Sequence, residues 1–317
     1  MAVLAGVSVV VPVYNSEASL GELVARLREV LAGVRGGYEV ILVDDSSTDG
    51  SWEVVAELAR AHPEVRGVRL RRNYGQHNAT LCGTRLATHE LTVTLDDDLQ
   101  NPPEEVPHLL RALTPDLDVV YGVPAAARHG FRRRLAARVT KMVLKSSLGV
   151  ANAPDVSSFR VFRTALREAF SDYRSPLVSI DVLLPWATTR FGSVTVRHEE
   201  RRLGRSNYTF GQLVTHAVNM VTGFSTLPLR LASLTGFAFT AFGIAVLVFV
   251  VARFFINGGS VPGFPFLAST IAIFAGAQLF ALGIIGEYLA RVHLRTMDRP
   301  AYVVGATTWA AGDEHGA

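Results

Sequence analysis

TLDDDLQNPP, residues 94–103, joins the end of an apolar run to a cluster of carboxylates. Asp96 and Asp98 are separated by one residue, so in an extended segment both side chains would leave the same face. Gln100 would add a third oxygen there. Hard oxygen ligands suit Mg²⁺ or Mn²⁺, which complete their shells with water and substrate phosphates. The segment therefore predicts a metal site, although a solvated acidic turn is the alternative for an isolated D-x-D.

The composition sets the broad class of the protein. A chain of 317 residues, of which 49% are hydrophobic, can form one large domain with an appendage. The formal net charge is only +3, and the basic residues form local runs, which argues against a nucleic-acid-binding protein. The single cysteine, Cys82, excludes an internal disulfide framework and a cysteine-based zinc cluster.

Short apolar strands alternate with helical patterns in the N-terminal part of the chain. We predict strands at 7–13, 39–43, 65–70 and 91–95, and helices at 18–32, 52–61 and 79–88. This order is typical of βαβ units in a mostly parallel sheet with helices on both faces, where ligands bind at the carboxyl ends of strands. The polar candidates that follow the predicted strands are Pro12, Tyr14, Asn15, Asp44, Asp45, Arg72, Asn73, Asp96, Asp98 and Gln100.

Common signatures of other α/β enzymes are absent from the sequence. Neither a P-loop nor a GxGxxG fingerprint follows the first strand, so ATPases and nicotinamide-dependent enzymes lose their main support. The chain also has no GxSxG nucleophile elbow. The expected fold is therefore α/β, with a ligand site at the strand ends that uses different chemistry.

Two uncharged apolar segments predict a membrane anchor near the C-terminus. Residues 231–252 and 266–286 would each span roughly 30 Å as helices, about the hydrocarbon thickness of a bilayer. The turn-rich linker NGGSVPG between them favours an antiparallel hairpin over 229–292, with helices at about 229–256 and 264–288.

The basic residues around the hairpin predict its orientation. Four arginines lie outside the two spans and one lies near the linker: Arg230, Arg291, Arg295 and Arg299, and Arg253. Positive-inside bias therefore places both termini in the cytoplasm. Residues 1–13 have the pattern of a buried strand and not of a secretory signal. We expect a multi-pass protein of the inner (plasma) membrane with a cytoplasmic tail at 293–317.

Two further segments have the pattern of helices that lie in a membrane interface. In residues 131–148 the apolar side chains share one helical face and the basic ones lie elsewhere; a surface helix of a soluble domain is the alternative. Residues 208–228 carry an apolar stripe and lead into the first span. Anionic head groups and a lipid phosphate are the expected partners of Arg132, Arg133 and Arg134.

The motifs, in their order, resemble those of family-2 glycosyltransferases of the GT-A fold. Within that family they resemble the polyprenyl-phosphate group, which includes dolichol-phosphate mannose synthase. The matching segments are VVVPVYNSEASL (9–20), VILVDDSSTDGS (40–51), RRNYGQHNATLCG (71–83), TLDDDLQNPPEE (94–105), RRLGRSNYTF (201–210) and GEYLARV (286–292). RNYGQH and LQNPPEE favour the branch of bacterial undecaprenyl-phosphate aminoarabinose transferases. The resemblance covers nearly the whole chain, with a GT-A domain at 1–207.

This resemblance implies a nucleotide-sugar site. Pro12, Tyr14 and Asp44 or Asp45 would hold the base and ribose, with Asn15, Arg72 and Asn73 nearby and Glu17 as a helper. Asp96, Asp98 and Gln100 would hold the metal and diphosphate, and Arg201 and Ser206 belong to a segment expected to meet that diphosphate. The alternatives are a solvated turn and helix cap for Asp44-Asp45 and an ordinary surface arginine for Arg201.

Two positions depart from the family pattern. Asn207 stands where a lysine is usual, and Ser158 stands where the family has an acid ahead of the Phe159-Arg160 pair. Asp155 is the nearest acid upstream and is the candidate base, with a structural turn as the alternative. Arg160 is a candidate for the acceptor phosphate.

The expected reaction is the inverting, metal-dependent transfer of one sugar from a UDP-linked donor to undecaprenyl phosphate at the cytoplasmic membrane face. A phosphate acceptor is already ionised, so positioning and stabilisation of the leaving diphosphate, with Asp98 in the catalytic centre, would suffice. A processive polysaccharide synthase is disfavoured because two spans cannot readily enclose a polymer channel and the sequence has no QxxRW segment. A catalytically silent scaffold stays open because of Ser158. The sequence leaves the sugar and the oligomeric state, including a homo-oligomer, undetermined.

Overall fold

The computed structural model describes residues 5–124, 156–175, 178–199, 227–257, 263–297 and 299–309. The chain separates into two compact units, of which the first comprises Met1–Thr209 with Asp298–Ala317 and the second Phe210–Met297. The predicted interfacial segment at 131–148 and nearly all of that at 208–228 lie outside the described residues.

One mixed sheet forms the centre of the first unit. Within the described residues its eight strands are β1 (Val7–Val13), β2 (Tyr38–Asp44), β3 (Val65–Leu70), β4 (Leu91–Thr94), β5 (Val119–Pro124), β6 (Arg160–Arg163), β7 (Phe191–Val196) and β8 (Val304–Thr307). Their order is β7-β5-β6-β4-β1-β2-β3-β8. β6 and β8 pair antiparallel with their neighbours, and the other pairs are parallel. The expected α/β fold with a mostly parallel sheet is confirmed.

Helices cover both faces of this sheet. They are α1 (Glu17–Leu31), α2 (Ser51–Ala61), α3 (Gln76–Leu86), α4 (Val106–Ala112) and α5 (Ile180–Ala187). Alternate residues of the fully buried strand β1 pack against opposite faces, with Val9 and Val11 towards α1 and Val10 towards α3. Burial of such a valine contributes roughly 1.5–3 kcal/mol. β1 is buried on both faces because it is a central strand, between β4 and β2. The polar loops begin at the carboxyl end of this strand and of its neighbours.

The acidic segment after β4 differs from the expectation. β4 ends at Thr94, and Asp97 and Asp98 lie in a turn in which Leu99 has a positive φ of 59°. The premise that Asp96 to Gln100 continue an extended strand is therefore wrong. A run of three adjacent carboxylates cannot continue a buried strand without unpaired charge, so the chain turns toward the surface.

β8 is an element that the sequence analysis missed. It lies in the expected tail at 293–317, yet it pairs antiparallel with the edge strand β3. Thr308 Oγ1 accepts a hydrogen bond from the Gly67 backbone N–H at 2.9 Å, and Trp309 stacks under the Arg66 guanidinium at 4.3 Å. The four residues of β8 show no strong alternation of polar and apolar side chains. They form a strand because they pair with β3, which is distant in sequence.

The second unit contains two long helices, α6 (Leu227–Asn257) and α7 (Phe264–Thr296). Their apolar windows, Ala232–Arg253 and Ile273–Ala290, have mean hydropathies of 2.4 and 1.6. Large side chains such as Phe237 and Leu279 are exposed along them, and Phe239 meets Phe274 edge to face at 5.8 Å. By length and composition both helices suit a bilayer crossing.

Candidate active site

The polar loops meet at one edge of the sheet. The carboxyl ends of β1, β2 and β4 lie there, and β6 brings its amino end to the same edge because it runs antiparallel to β4, with Arg160 opposite Thr94. Three non-glycine residues that follow these parallel strands have positive φ: Asn15 (53°), Ser46 (59°) and Leu99 (59°). Such uncommon backbone conformations cluster at functional sites, so this edge is the candidate site.

A pocket of about 220 Å³ opens at this edge. It draws its lining from the end of β1, the start of α3, the end of β4, the segment before β6 and the start of α5. The lining residues are Pro12, Gln76, His77, Thr80, Thr94, Leu95, Asp96, Val156, Ser157, Ser158, Arg160 and Asp181. Polar and charged side chains dominate it, as a site for a charged ligand requires.

Asp96 is held by two donors inside the pocket. Gln76 Nε2 donates to Asp96 Oδ1 at 2.6 Å, and Ser158 Oγ donates to Asp96 Oδ2 at 2.5 Å. Donors to both of its oxygens fix the direction of a carboxylate. Ser158, which stands at the family's acid position, therefore orients a neighbouring carboxylate in this chain.

Asp97 connects two loops and does not line the pocket. Its Oδ2 accepts hydrogen bonds from the Tyr14 backbone N–H at 3.1 Å and from Ser16 Oγ at 2.5 Å. Burial raises the pKa of the Asp97 carboxyl to about 6, against these hydrogen bonds, and the charges of its two acidic neighbours add to the rise. Asp97 thus ties the loop after β4 to the loop after β1.

Asp98 and Gln100 lie in the adjoining turn and do not line the pocket. Asp98 Oδ1 accepts from the Gln100 backbone N–H at 3.1 Å, and the Gln100 carbonyl accepts from the Glu199 N–H at 2.8 Å. Among the described residues, no three His, Cys, Asp or Glu side chains form a group that could hold a metal by themselves. Carboxylate oxygens are ligands that Mg²⁺ accepts together with substrate phosphates and water, and the role of Asp96 and Asp98 as metal ligands stays a prediction.

Arg160 forms one wall of the pocket and is 2% exposed. Its Nη1 donates to Asp181 Oδ1, and its Nε donates to Thr94 Oγ1 at 3.1 Å. The guanidinium also lies over the Tyr121 ring, 5.6 Å from its centroid. The carboxylate, the hydroxyl and the aromatic face fix the direction of the guanidinium, and its role in binding an acceptor phosphate stays a prediction.

The predicted base-and-ribose carboxylates are buried. Asp44 is 0% exposed, accepts from the Ser47 N–H at 3.1 Å and lies 3.3 Å from Arg69 Nε. Asp45 accepts from the backbone N–H groups of Tyr74 and Gly75, both at 2.7 Å. Burial raises the pKa of the Asp45 carboxyl to about 6, and the Asp44 charge adds to it. Both anchor loops in this structure, and their role in donor binding stays a prediction.

Of the other predicted donor residues, Pro12 lines the pocket. Tyr14 is 46% exposed. Asn15 Oδ1 accepts from the Thr48 N–H at 2.9 Å, and Glu17 Oε2 accepts from the Gly50 N–H at 3.0 Å, so both connect the loops after β1 and β2.

Of the two residues predicted after β3, Arg72 lies over the Tyr74 ring at 4.5 Å, and Asn73 is exposed. Several predicted residues lie outside the described part of the chain: Arg132, Arg133, Arg134, Asp155, Arg201 and Ser206. Their roles stay predictions.

The pocket residues that had no assigned site role in the sequence analysis include Gln76, His77, Thr80, Ser157 and Asp181. Gln76 and His77 follow a strand end within the RNYGQH segment, a signal that could have found them. Asp181 offers no such signal, because an acidic residue in the first turn of an apolar helix is ordinary.

The model of glycosyl transferase family 2 matches residues 8–174, more than half of the chain. The chain belongs to glycosyl transferase family 2. The matched residues of the transferase include Asp96, Ser158 and Arg160 from the pocket, whereas Asp181 lies beyond them. The expected enzyme class is therefore confirmed.

Two relatives of the transferase are similar over nearly their full length. The undecaprenyl-phosphate 4-deoxy-4-formamido-L-arabinose transferase of Shewanella sediminis is 35% identical over 302 residues, covering 94% of this chain and 91% of the relative. The protein of the same name from Pectobacterium atrosepticum is 35% identical over 309 residues, covering 96% and 94%. The predicted resemblance to the polyprenyl-phosphate group is confirmed.

Solved structures with the same fold include glucosyl-3-phosphoglycerate synthase of Mycobacterium tuberculosis. One structure of that enzyme has a TM-score of 0.51 at 18% identity and covers 69% of this chain and 78% of its own. Its complex with Mn²⁺, UDP and glucosyl-3-phosphoglycerate has the same TM-score and coverage at 17% identity. At this identity the likeness establishes the GT-A fold of the transferase.

Proposed function

We propose that the transferase moves one sugar from a UDP-linked donor to undecaprenyl phosphate at the cytoplasmic face of the inner membrane. The observation that carries this proposal is the 35% identity, over 94% of the chain, with an undecaprenyl-phosphate sugar transferase. The pocket supports it, because an oriented carboxylate and a preorganised arginine line the same small cavity.

The size of the pocket suits part of the donor. The cavity formed by its described lining measures about 220 Å³, below the roughly 300–1,000 Å³ of pockets for drug-sized ligands, and we assign it to the diphosphate and the sugar. The base then lies outside, where the half-exposed Tyr14 ring offers a stacking face. Pro12, next to Val13 at the end of β1, lines the pocket.

Asp96 and Asp98 would hold Mg²⁺ or Mn²⁺ together with the donor diphosphate. A bound cation of this kind neutralises charge on a leaving diphosphate. Gln76 and Ser158 keep the Asp96 carboxylate oriented, and the Mn²⁺ in the fold relative supports a divalent metal in general. Arg160 binds the acceptor phosphate, whose ionised oxygen attacks with little need for a base.

The topology of the chain supports the proposed orientation. The chain leaves the sheet after β7, passes through α6 and α7, and returns to the same sheet at β8. Both ends of the hairpin therefore connect to one folded unit, which supports their lying on the same side of the membrane. The flanking arginines favour the cytoplasm for that side.

Lipid labelling tests the proposed function. Purified full-length protein is incubated with undecaprenyl phosphate, Mn²⁺ and a panel of radiolabelled UDP-sugars, and chloroform-soluble label is counted. At least one donor labels the lipid, and Asp96→Asn lowers the rate by about 100-fold or more, because the cation and diphosphate lose their ligand. The matched control Asp116→Asn alters an exposed turn carboxylate and retains the rate. Label in a polymer, no label with any donor, or an active Asp96→Asn variant would contradict the proposal.

A further inference from the structure

Asp181 lines the pocket but belongs to an element remote in sequence from the acidic loop. It lies in the first turn of α5, and its side chain is 13% exposed. Its Oδ1 accepts hydrogen bonds from Arg160 Nη1 and from the Tyr121 hydroxyl, the latter at 3.3 Å. Burial of Tyr121, followed by the charge of Asp181, raises the pKa of this tyrosine far above its ordinary value, so the hydroxyl remains a donor.

The register of the sheet places these partners together. Arg160 of β6 is paired with Thr94 of β4 on one side and with Tyr121 of β5 on the other. Paired residues in antiparallel strands point to the same face, so the three side chains form a row beneath α5. Asp181 closes this row from above and fixes the guanidinium.

The row continues to the carboxylate that is proposed to hold the cation. Thr94 Oγ1 accepts from Arg160 and donates to the Ser158 carbonyl at 2.5 Å, and Ser158 Oγ donates to Asp96. Hydrogen bonds therefore connect Asp181 to Asp96 through three intervening residues. The direction of Arg160 depends on Asp181, and Arg160 and Asp96 share one pocket.

The charges explain why the guanidinium needs this partner. The described pocket lining contains two carboxylates, Asp96 and Asp181, and one guanidinium. Without Asp181, the buried Arg160 would lack its carboxylate partner and would be attracted to Asp96 instead. If Arg160 paired with Asp96, its guanidinium would no longer be available to bind a phosphate.

We propose that Asp181 is a positioning residue that holds Arg160 toward the phosphate of the acceptor. This inference rests on the proposed function for the identity of that phosphate. Asp181 acts through Arg160 and does not itself contact the reacting atoms.

The first test separates acceptor from donor effects. Asp181→Asn preserves size and removes the charge, and we expect kcat/KM for undecaprenyl phosphate to fall about 10- to 100-fold. The KM for the UDP-sugar changes less than about twofold, and Asp181→Glu restores most of the lost rate because it returns the charge. The matched control Asp118→Asn removes a buried partner of Arg190 at the amino end of β5, outside the pocket, and leaves both constants within about twofold of wild type.

A double-mutant cycle tests whether Asp181 acts through Arg160. In an Arg160→Gln background, Asp181→Asn should lower the rate less than about twofold further, because the group it positions is absent. Independent, multiplicative effects of the two substitutions would overturn the proposal. So would an unchanged acceptor kcat/KM in a folded Asp181→Asn protein.

Binding of farnesyl phosphate, a short prenyl phosphate, separates failure of this inference from failure of the proposed function. Calorimetric titration of the full-length protein should show at least about tenfold weaker binding for Asp181→Asn than for wild type. If no sugar is transferred but this loss persists, the proposed function fails and the positioning role stands. Equal binding by wild type and variant overturns the positioning role. If Asp181→Asn does not fold, Tyr121→Phe, which removes a donor to Asp181, should weaken binding about two- to fivefold, and unchanged binding overturns the role.

Discussion

Adjacent carboxylates in this protein have different hydrogen-bond partners and therefore different structural roles. Asp96 faces the pocket with two side-chain donors, Asp97 turns inward to the loop after β1, and Asp98 accepts from a backbone N–H within its own turn. The same contrast occurs after β2, where Asp44 is paired with Arg69 and Asp45 binds two backbone N–H groups. Acidic residues at strand ends therefore include structural anchors as well as candidate ligands.

The buried Asp45 predicts a pH dependence of stability. Its pKa is about 6 in the folded protein and 3.8 in the reference state, so the folded protein binds more protons between these values. Stability contributed by this group therefore falls as pH rises through that window, by on the order of 2–3 kcal/mol. The melting temperature of Asp45→Asn relative to wild type should thus rise between pH 4.5 and pH 7.5 in scanning calorimetry.

Asp49→Asn is the matched control for this measurement. Burial raises the pKa of Asp49, but hydrogen bonds from Ser51 outweigh it and leave the pKa below its ordinary value. The melting temperature of Asp49→Asn relative to wild type should therefore fall as pH rises. A pH-independent difference for Asp45→Asn would contradict the assignment.

At the scale of elements, the loop that starts α3 shapes one wall of the pocket. Gly75 has φ 94° and ψ 152°, and its N–H donates to Asp45 immediately before Gln76 enters the pocket. Only glycine adopts this conformation without strain. The start of α3 at Gln76, earlier than the predicted residue 79, follows from this turn.

Gly75→Ala should destabilise the protein by about 1–3 kcal/mol, because the backbone conformation is strained for any other residue. The matched control is Gly21→Ala in α1, where the residue is exposed and an added Cβ would meet no atom within 4 Å. That substitution should stabilise the helix by up to about 1 kcal/mol. Thermal unfolding measures both changes, and a neutral Gly75→Ala would refute the strain argument.

At the scale of the whole molecule, the chain returns to the catalytic sheet after the second apolar helix. β8 covers the edge of β3, where Gly67 leaves room for Thr308, since a Cβ on Gly67 would lie 2.7 Å from Thr308 Cγ2. An uncovered edge strand presents unpaired backbone groups to other chains. β8 is therefore part of the folded sheet.

Truncation after residue 297 should lower the melting temperature of the transferase and increase its aggregation. The expected cause is loss of the β8 hydrogen bonds and of the Trp309 stack on Arg66, and exposure of the β3 edge. Scanning calorimetry with light scattering in detergent measures both effects. Truncation after residue 309, which keeps β8 and Trp309, is the matched control. Equal behaviour of the two truncations would show that β8 does not stabilise the sheet.

The sequence alone determined the α/β alternation and the two apolar helices, because these depend on neighbours within a few residues. It predicted an extended acidic segment after β4, where the structure has a turn. It also carried enough family motifs to indicate a glycosyltransferase. The tertiary structure decided which polar groups meet: Ser158 reaches Asp96 across 62 residues, and Asp181 reaches Arg160 from a helix with no distinctive motif. Such contacts depend on strand order and on the reversed direction of β6, and local periodicity does not encode strand pairing over that distance.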